Sequence, residues 1–71
     1  MERTPVNSSM IASIGYDQSS GTLEVEFNTG GAIWEYYDVP ENMWHEFQSA
    51  SSIGKYFHAN IRNHFRGSQV G

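Results

Sequence analysis

The sequence predicts an α+β fold: a three-stranded antiparallel β-meander packed against two C-terminal α-helices. Three observations lead to it. Apolar and polar residues alternate at period two from Met10 to Tyr37, the spacing turns helical after Asp38, and two short Asp/Asn/Ser/Gly-rich runs punctuate the first half. A chain of 71 residues has room for one domain, which hides only about 60% of its unfolded surface. With no cysteine there is no disulfide and no thiolate metal site, so two Trp, four Tyr and four Phe must supply most of a small, dense core.

The elements follow in order. Residues 1–7 are polar, contain Pro5 and read as a flexible lead-in. From Met10 the residues Met10, Ala12, Ile14 and Tyr16 share one strand face, with Ile11, Ser13 and Gly15 on the other. Asp17 to Gly21 is a turn signal, because Asp and Ser bond the local backbone and Gly admits positive φ. Thr22 to Phe27 is the cleanest strand, with Leu23, Val25 and Phe27 inward and Glu24 and Glu26 on a solvated face. Asn28 to Gly31 closes a tight connection to the third strand, Ala32 to Tyr37.

Asp38 stands as the expected cap of the first helix, with Pro40 near its first turn and Glu41 favoured by the dipole. Met43, Trp44, Phe47 and Ala50 form its apolar face. Ser51 or Ser52 caps a second helix, expected from Ile53 to about Phe65 and stopped by Gly67. Ile53, Phe57, Ile61 and Phe65 face inward, while Lys55, Arg62 and Arg66 collect within about 40° on the opposite side. The domain is placed at 8–66 and a flexible tail at 67–71.

The formal charge of −4 argues at first against a nucleic-acid partner. It is unevenly distributed. Thr4 to Gly54 holds seven acids and no Lys or Arg, whereas Lys55 to Gly71 holds Lys55, Arg62, Arg66 and two histidines with no acid. The sum excludes wrapping around a polyanion but leaves a local contact open at the basic end. No apolar run reaches the roughly 18 residues of a membrane span, and the N-terminus has no apolar signal core, which predicts a cytoplasmic protein without membrane association.

Five stretches carry a family resemblance: Val6 to Ser9, Ile14 to Asp17, Leu23 to Phe27, the aromatic pair ahead of Val39 and Pro40, and Ala50 to Phe57 with Ile61 and Arg62. In this order and spacing they resemble the KTSC domain, a short module found at the C-terminus of some lysyl-tRNA synthetases and also free-standing in bacteria and phages. The likeness covers residues 6–66, and the free-standing form is expected. The family's aromatic Tyr-x-Tyr falls on Trp34-Glu35-Tyr36, with Trp in the first position. His58 stands where the family has Asn after its aromatic–Phe pair. What the resemblance implies about function is RNA contact, through the attachment to tRNA synthetases; a fold by itself fixes no function.

Several residues carry candidate chemistry. Trp34 and Tyr36 point to one sheet face, where an exposed pair would stack bases and a buried pair would build the core; the pattern favours burial. Tyr37 is then the candidate exposed aromatic. Ser51 to Lys55 offers a helix N-terminus to an anion, or simply a capped helix, and lacks the glycine spacing of a P-loop. No catalytic set appears, the histidines are not spaced to bind a metal, and no cofactor is implied. The leading expectation is a small non-enzymatic module making a local contact with RNA, tRNA or single-stranded nucleic acid. Lys55, Arg62 and Arg66 would meet phosphates, with Ser52, Gly54 and His58 nearby. The alternative is a protein-interaction module, or a bacterial or phage regulator, that uses the acidic body.

Overall fold

The computed structural model describes residues 1–71. Five strands form one antiparallel sheet in sequence order: β1 (Thr4–Pro5), β2 (Ile11–Asp17), β3 (Thr22–Phe27), β4 (Ile33–Tyr36) and β5 (Gly67–Gln69). Helices α1 (Glu41–Gln48) and α2 (Ile53–Asn60) lie between β4 and β5 in the chain. The expected class holds, but the sheet has five strands rather than three. The segments read as a flexible lead-in and tail supply its two edges. Two- and three-residue strands are too short to show a period, and Pro and Gly disfavour strands locally, so only pairing with β2 and β4 reveals them.

The core joins the inner sheet face (Ile11, Ile14, Leu23, Val25, Tyr36) to Phe47 on α1, to Ile53 and Phe57 on α2, and to Ile61 and Val39. The face assignment on β2 departs from simple alternation. Ile11 pairs with Phe27 and Ser13 with Glu26, so Ala12 is an extra residue in a β-bulge. The bulge resets the phase and sends both Ile11 and Ile14 into the core. On β3 the expected inward set is confirmed, with Leu23 and Val25 fully buried and Phe27 packed against them.

The outer face differs from the solvated surface expected for Glu24 and Glu26. Glu24 is buried and stands opposite Glu35 on β4, a like-charge pairing that is unfavourable unless compensated. Arg3 compensates it. Its Nη1 donates to Glu24 Oε2 at 2.7 Å and its Nε to Ser13 Oγ at 3.0 Å, and Ser13 in turn donates to Glu26 Oε1. Gly15 makes room for this chain, since a Cβ there would lie 2.6 Å from the Glu2 carbonyl oxygen and 3.1 Å from Arg3 Cγ. Arg3→Ala is expected to cost about 1.5–3 kcal/mol, the range for charge-assisted bonds to a partly buried carboxylate, read as a lower urea midpoint with unchanged m. A midpoint shift below about 0.5 kcal/mol equivalent would mean that Glu24 rehydrates freely.

The connection into α1 is also built differently from the sequence reading. Asp38 does not cap the helix; it takes a left-handed φ of 60°, which Asp tolerates, and Pro40 occupies the N-cap position without a side-chain bond. The Val39 N–H donates to the Gly21 carbonyl and the Tyr16 hydroxyl to the Val39 carbonyl, tying this loop to the β2–β3 turn. Trp44 then stacks on Tyr16 at 5.4 Å. Met43, Trp44 and Ala50 pack on the core around Phe47, as the helical spacing predicts.

Helix α2 begins as expected, with Ser52 Oγ accepting from the Lys55 N–H. It ends at Asn60 rather than near Phe65. The Ile61 and Arg62 N–H groups both donate to the Phe57 carbonyl, closing the last turn, and residues 61–65 form a turn held by Ile61. The Asn and His residues there have little helix propensity, and Ile61 and Phe65 pack on the core without helical continuation. Gly67 is therefore no helix stop but the first residue of β5. Beyond β5 the backbone of Val70 and Gly71 still bonds to Ile33.

Tyr56 joins the two helices. Its ring stacks on Phe47 and its hydroxyl donates to Glu46 Oε1 at 2.8 Å. Desolvation, helped by the Glu46 bond and charge, pushes its pKa up to about 12, and burial also raises Tyr16 and Tyr36. The folded state thus holds these protons more tightly than the unfolded chain, whose tyrosines ionise near 10. Their stabilising contribution is complete below pH 10 and is lost as the pH rises towards 12. Denaturation midpoints should fall across that window, and Tyr56→Phe should flatten the fall; an unchanged slope in the variant would overturn the assignment.

Candidate functional site

Two cavities lie side by side along one flank of α2. The first, about 570 Å³, is walled by Trp34 and Tyr36 of β4, Phe27 of β3 and Phe57 of α2, with Thr29, His58, Arg62 and Asn63 as its polar lining. The second, about 430 Å³, is hydroxyl-rich: Ser8, Ser9, Ser51 and Ser52 surround Gly54 and Lys55 at the start of α2. Met10 and His58 line both. No Asp or Glu lines either one. The cations of this flank therefore face a groove free of acids, although the chain as a whole is acidic.

The aromatic wall is built by strand period and helix packing together. Tyr36 is buried, 6% exposed, with Phe57 edge-on at 5.5 Å, and Phe57 is edge-on to Phe27 at 5.4 Å. Trp34, two residues along the same strand face, stacks along Tyr36 at 6.4 Å but is only half-buried. The expectation that both rings belong to the core holds for Tyr36; Trp34 instead forms part of the open wall. Burial raises the Tyr36 pKa, and the nearby Arg62 guanidinium opposes that rise. Arg62 Nη1 itself lies 3.4 Å from His58 Nδ1.

The predicted residues are thus partly gathered and partly separated. Ser52, Gly54, Lys55 and His58 meet at the second cavity, and His58 and Arg62 at the first. The helix expected to carry all three cations is shorter, since α2 ends at Asn60, before Arg62 and Arg66; Lys55 and Arg62 line adjoining cavities, and Arg66 lines neither. Arg66 sits just before β5 with its carbonyl accepting from the Tyr37 N–H. Tyr37, expected to be exposed, is half-buried, with its hydroxyl 3.4 Å from Glu35 Oε1. Sequence reasoning missed Thr29 and Asn63, which carry no motif, and Met10, which lies apart from the groove in sequence. No three His, Asp or Glu side chains are arranged to hold a metal ion.

The family model of the KTSC domain matches residues 7–65, most of the chain. The chain belongs to the KTSC domain family. A KTSC domain protein from Yersinia pestis has the same architecture, with a TM-score of 0.94, 40% identity, and 99% and 97% of the two chains covered. A protein from Tsukamurella paurometabola is 37% identical over 62 residues, which is 87% of this chain and 91% of the relative. A lysine–tRNA ligase from Nostoc is 37% identical over the same length, but there the matched stretch is only 11% of the enzyme. No helix of this KTSC domain is long and apolar enough to cross a membrane.

Proposed function

We propose that this KTSC domain is a non-enzymatic binding module for unpaired RNA, making a local contact along the α2 flank. The observation that carries the reading is the joined pair of cavities: an aromatic recess next to a hydroxyl-rich one, bordered by Arg62, His58 and Lys55 and free of carboxylates. Single-stranded nucleic acid is recognised by this combination, a ring wall for a splayed base and cations for its phosphates. Trp34 serves the base, with the buried Tyr36 behind it; Arg62 meets the ligand at the aromatic recess, and Lys55 serves the backbone, with Ser52, Gly54 and His58 beside it. Arg66, outside both cavities, has no direct role. The kinship with lysine–tRNA ligases, enzymes whose substrate is tRNA by name, agrees with an RNA ligand.

Titration of labelled tRNA and short single-stranded RNA at two salt concentrations tests the proposal. Affinity should fall with salt at a slope of roughly −0.7 per neutralised phosphate, and Arg62→Ala should weaken binding about tenfold. Arg66→Ala should leave it within about twofold, a contrast that a diffuse electrostatic attraction would not produce. Absence of binding at low salt would overturn the reading. A protein partner retained after nuclease treatment would favour the acidic outer sheet face instead.

A further inference from the structure

Within the aromatic cavity the one charged side chain is Arg62, which can only donate. Arg62 offers N–H groups beyond the one that lies 3.4 Å from His58 Nδ1. Asn63 and Thr29 can each donate or accept, and no carboxylate lines the cavity. The ligand must then be flat, to lie on Trp34, and must carry neighbouring acceptors on one edge. Guanine has two adjacent acceptors, O6 and N7, on an edge free of donors, whereas adenine has N7 beside a donor; an unpaired cytosine also has adjacent acceptors, N3 and O2, but its single ring covers less of Trp34 than the double ring of guanine. The planar fork of Arg62 matches two adjacent acceptors as no ammonium can.

We infer that the aromatic cavity of this domain takes one unpaired guanine base, stacked on Trp34 with its O6 and N7 edge on the Arg62 guanidinium. This rests on the reading of the groove as an RNA site and adds the identity of the base. Its volume, about 570 Å³, suits one small ligand and not a duplex, so the base must be out of any helix when it binds. The same chemistry is offered by a guanine in a strand and by free guanosine monophosphate.

The test is fluorescence anisotropy of the full chain with four labelled heptanucleotides, oligo-U carrying G, A, C or U at its centre. The G oligonucleotide should bind about tenfold more tightly than the others. Arg62→Lys, which keeps the charge and loses the fork, should bring all four within about twofold while leaving the salt slope nearly unchanged. Arg62 is exposed, so the variant should fold. Competition by guanosine monophosphate identifies the source: displacement at concentrations where adenosine monophosphate fails means that the free nucleotide suffices, and G-selective binding of the oligonucleotides without such displacement means that the strand is needed. Either result supports guanine recognition. Salt-sensitive binding that is equal for all four oligonucleotides, or a G preference that survives Arg62→Lys, overturns this inference and leaves RNA binding standing. No binding of any oligonucleotide overturns both.

Discussion

Phe57→Ala is expected to remove about 3–5 kcal/mol of stability, the largest loss available from a single side chain in this domain. Phe57 is 2% exposed and its ring is met edge-on by both Phe27 and Tyr36, so it joins β3, β4 and α2 at one point. Alanine would leave a cavity bounded by sheet residues held in their ladder, which cannot collapse to fill it. A small domain has on the order of 5–15 kcal/mol in total, so this variant should show a transition midpoint lowered by tens of degrees or no cooperative transition at all. Phe57→Leu, which preserves most of the volume, should cost less than about 1.5 kcal/mol and keep a cooperative transition. If both variants lost the same amount, the aromatic edge contacts would contribute more to stability than the filled volume does. A loss below about 1.5 kcal/mol for the alanine variant would overturn the packing argument.

Gly67→Ala acts on the groove as well as on the fold. A Cβ at Gly67 would lie 2.6 Å from Tyr36 Cε1 and 2.8 Å from Cδ1, with the Glu35 carbonyl oxygen at 3.3 Å. The Tyr36 ring cannot swing away, because it is buried between Trp34 and Phe57. The three-residue edge strand β5 must move instead. Displacement should cost about 1–3 kcal/mol and release the pairings of Trp34 with Gln69 and Tyr36 with Gly67. Hydrogen exchange locates the damage: the Tyr37 amide, which donates to Arg66, and the Val70 amide, which donates to Ile33, should lose protection while β2 and β3 keep theirs. Uniform loss of protection would mean that β5 is part of the global folding unit rather than a separable edge.

The elements that the sequence revealed are those in which a local period records a buried face. Leu23, Val25 and Phe27 alternate, Met43, Trp44 and Phe47 recur at helical spacing, and Ser52 stands directly before a helix that it caps. Where the period was broken, inference failed. A single extra residue, Ala12, put Ile11 on the wrong face of β2 while Ile14 and Tyr16 kept theirs, and nothing local announces a bulge. The extension of α2 to Phe65 followed from Ile61 and Phe65 being apolar, but burial at those positions is also met by a turn. With α2 ending at Asn60, Arg62 joins Trp34 and Tyr36 at the aromatic cavity, beside the one that holds Lys55.

The sequence by itself determined the α+β class, the central three-stranded meander, the presence of two helices, the capped start of the second and the set of cations on the chain after Gly54, because each is encoded by near-neighbour spacing or composition. Only the tertiary structure decided that the two ends of the chain are strands, that Arg3 neutralises the buried Glu24, and that the charge of −4 leaves a carboxylate-free groove. The physical reason is range. Helical and strand periods are written within a few residues, whereas a cavity is formed by side chains distant in sequence, from Met10 to Gly67, whose proximity exists only after the core has closed.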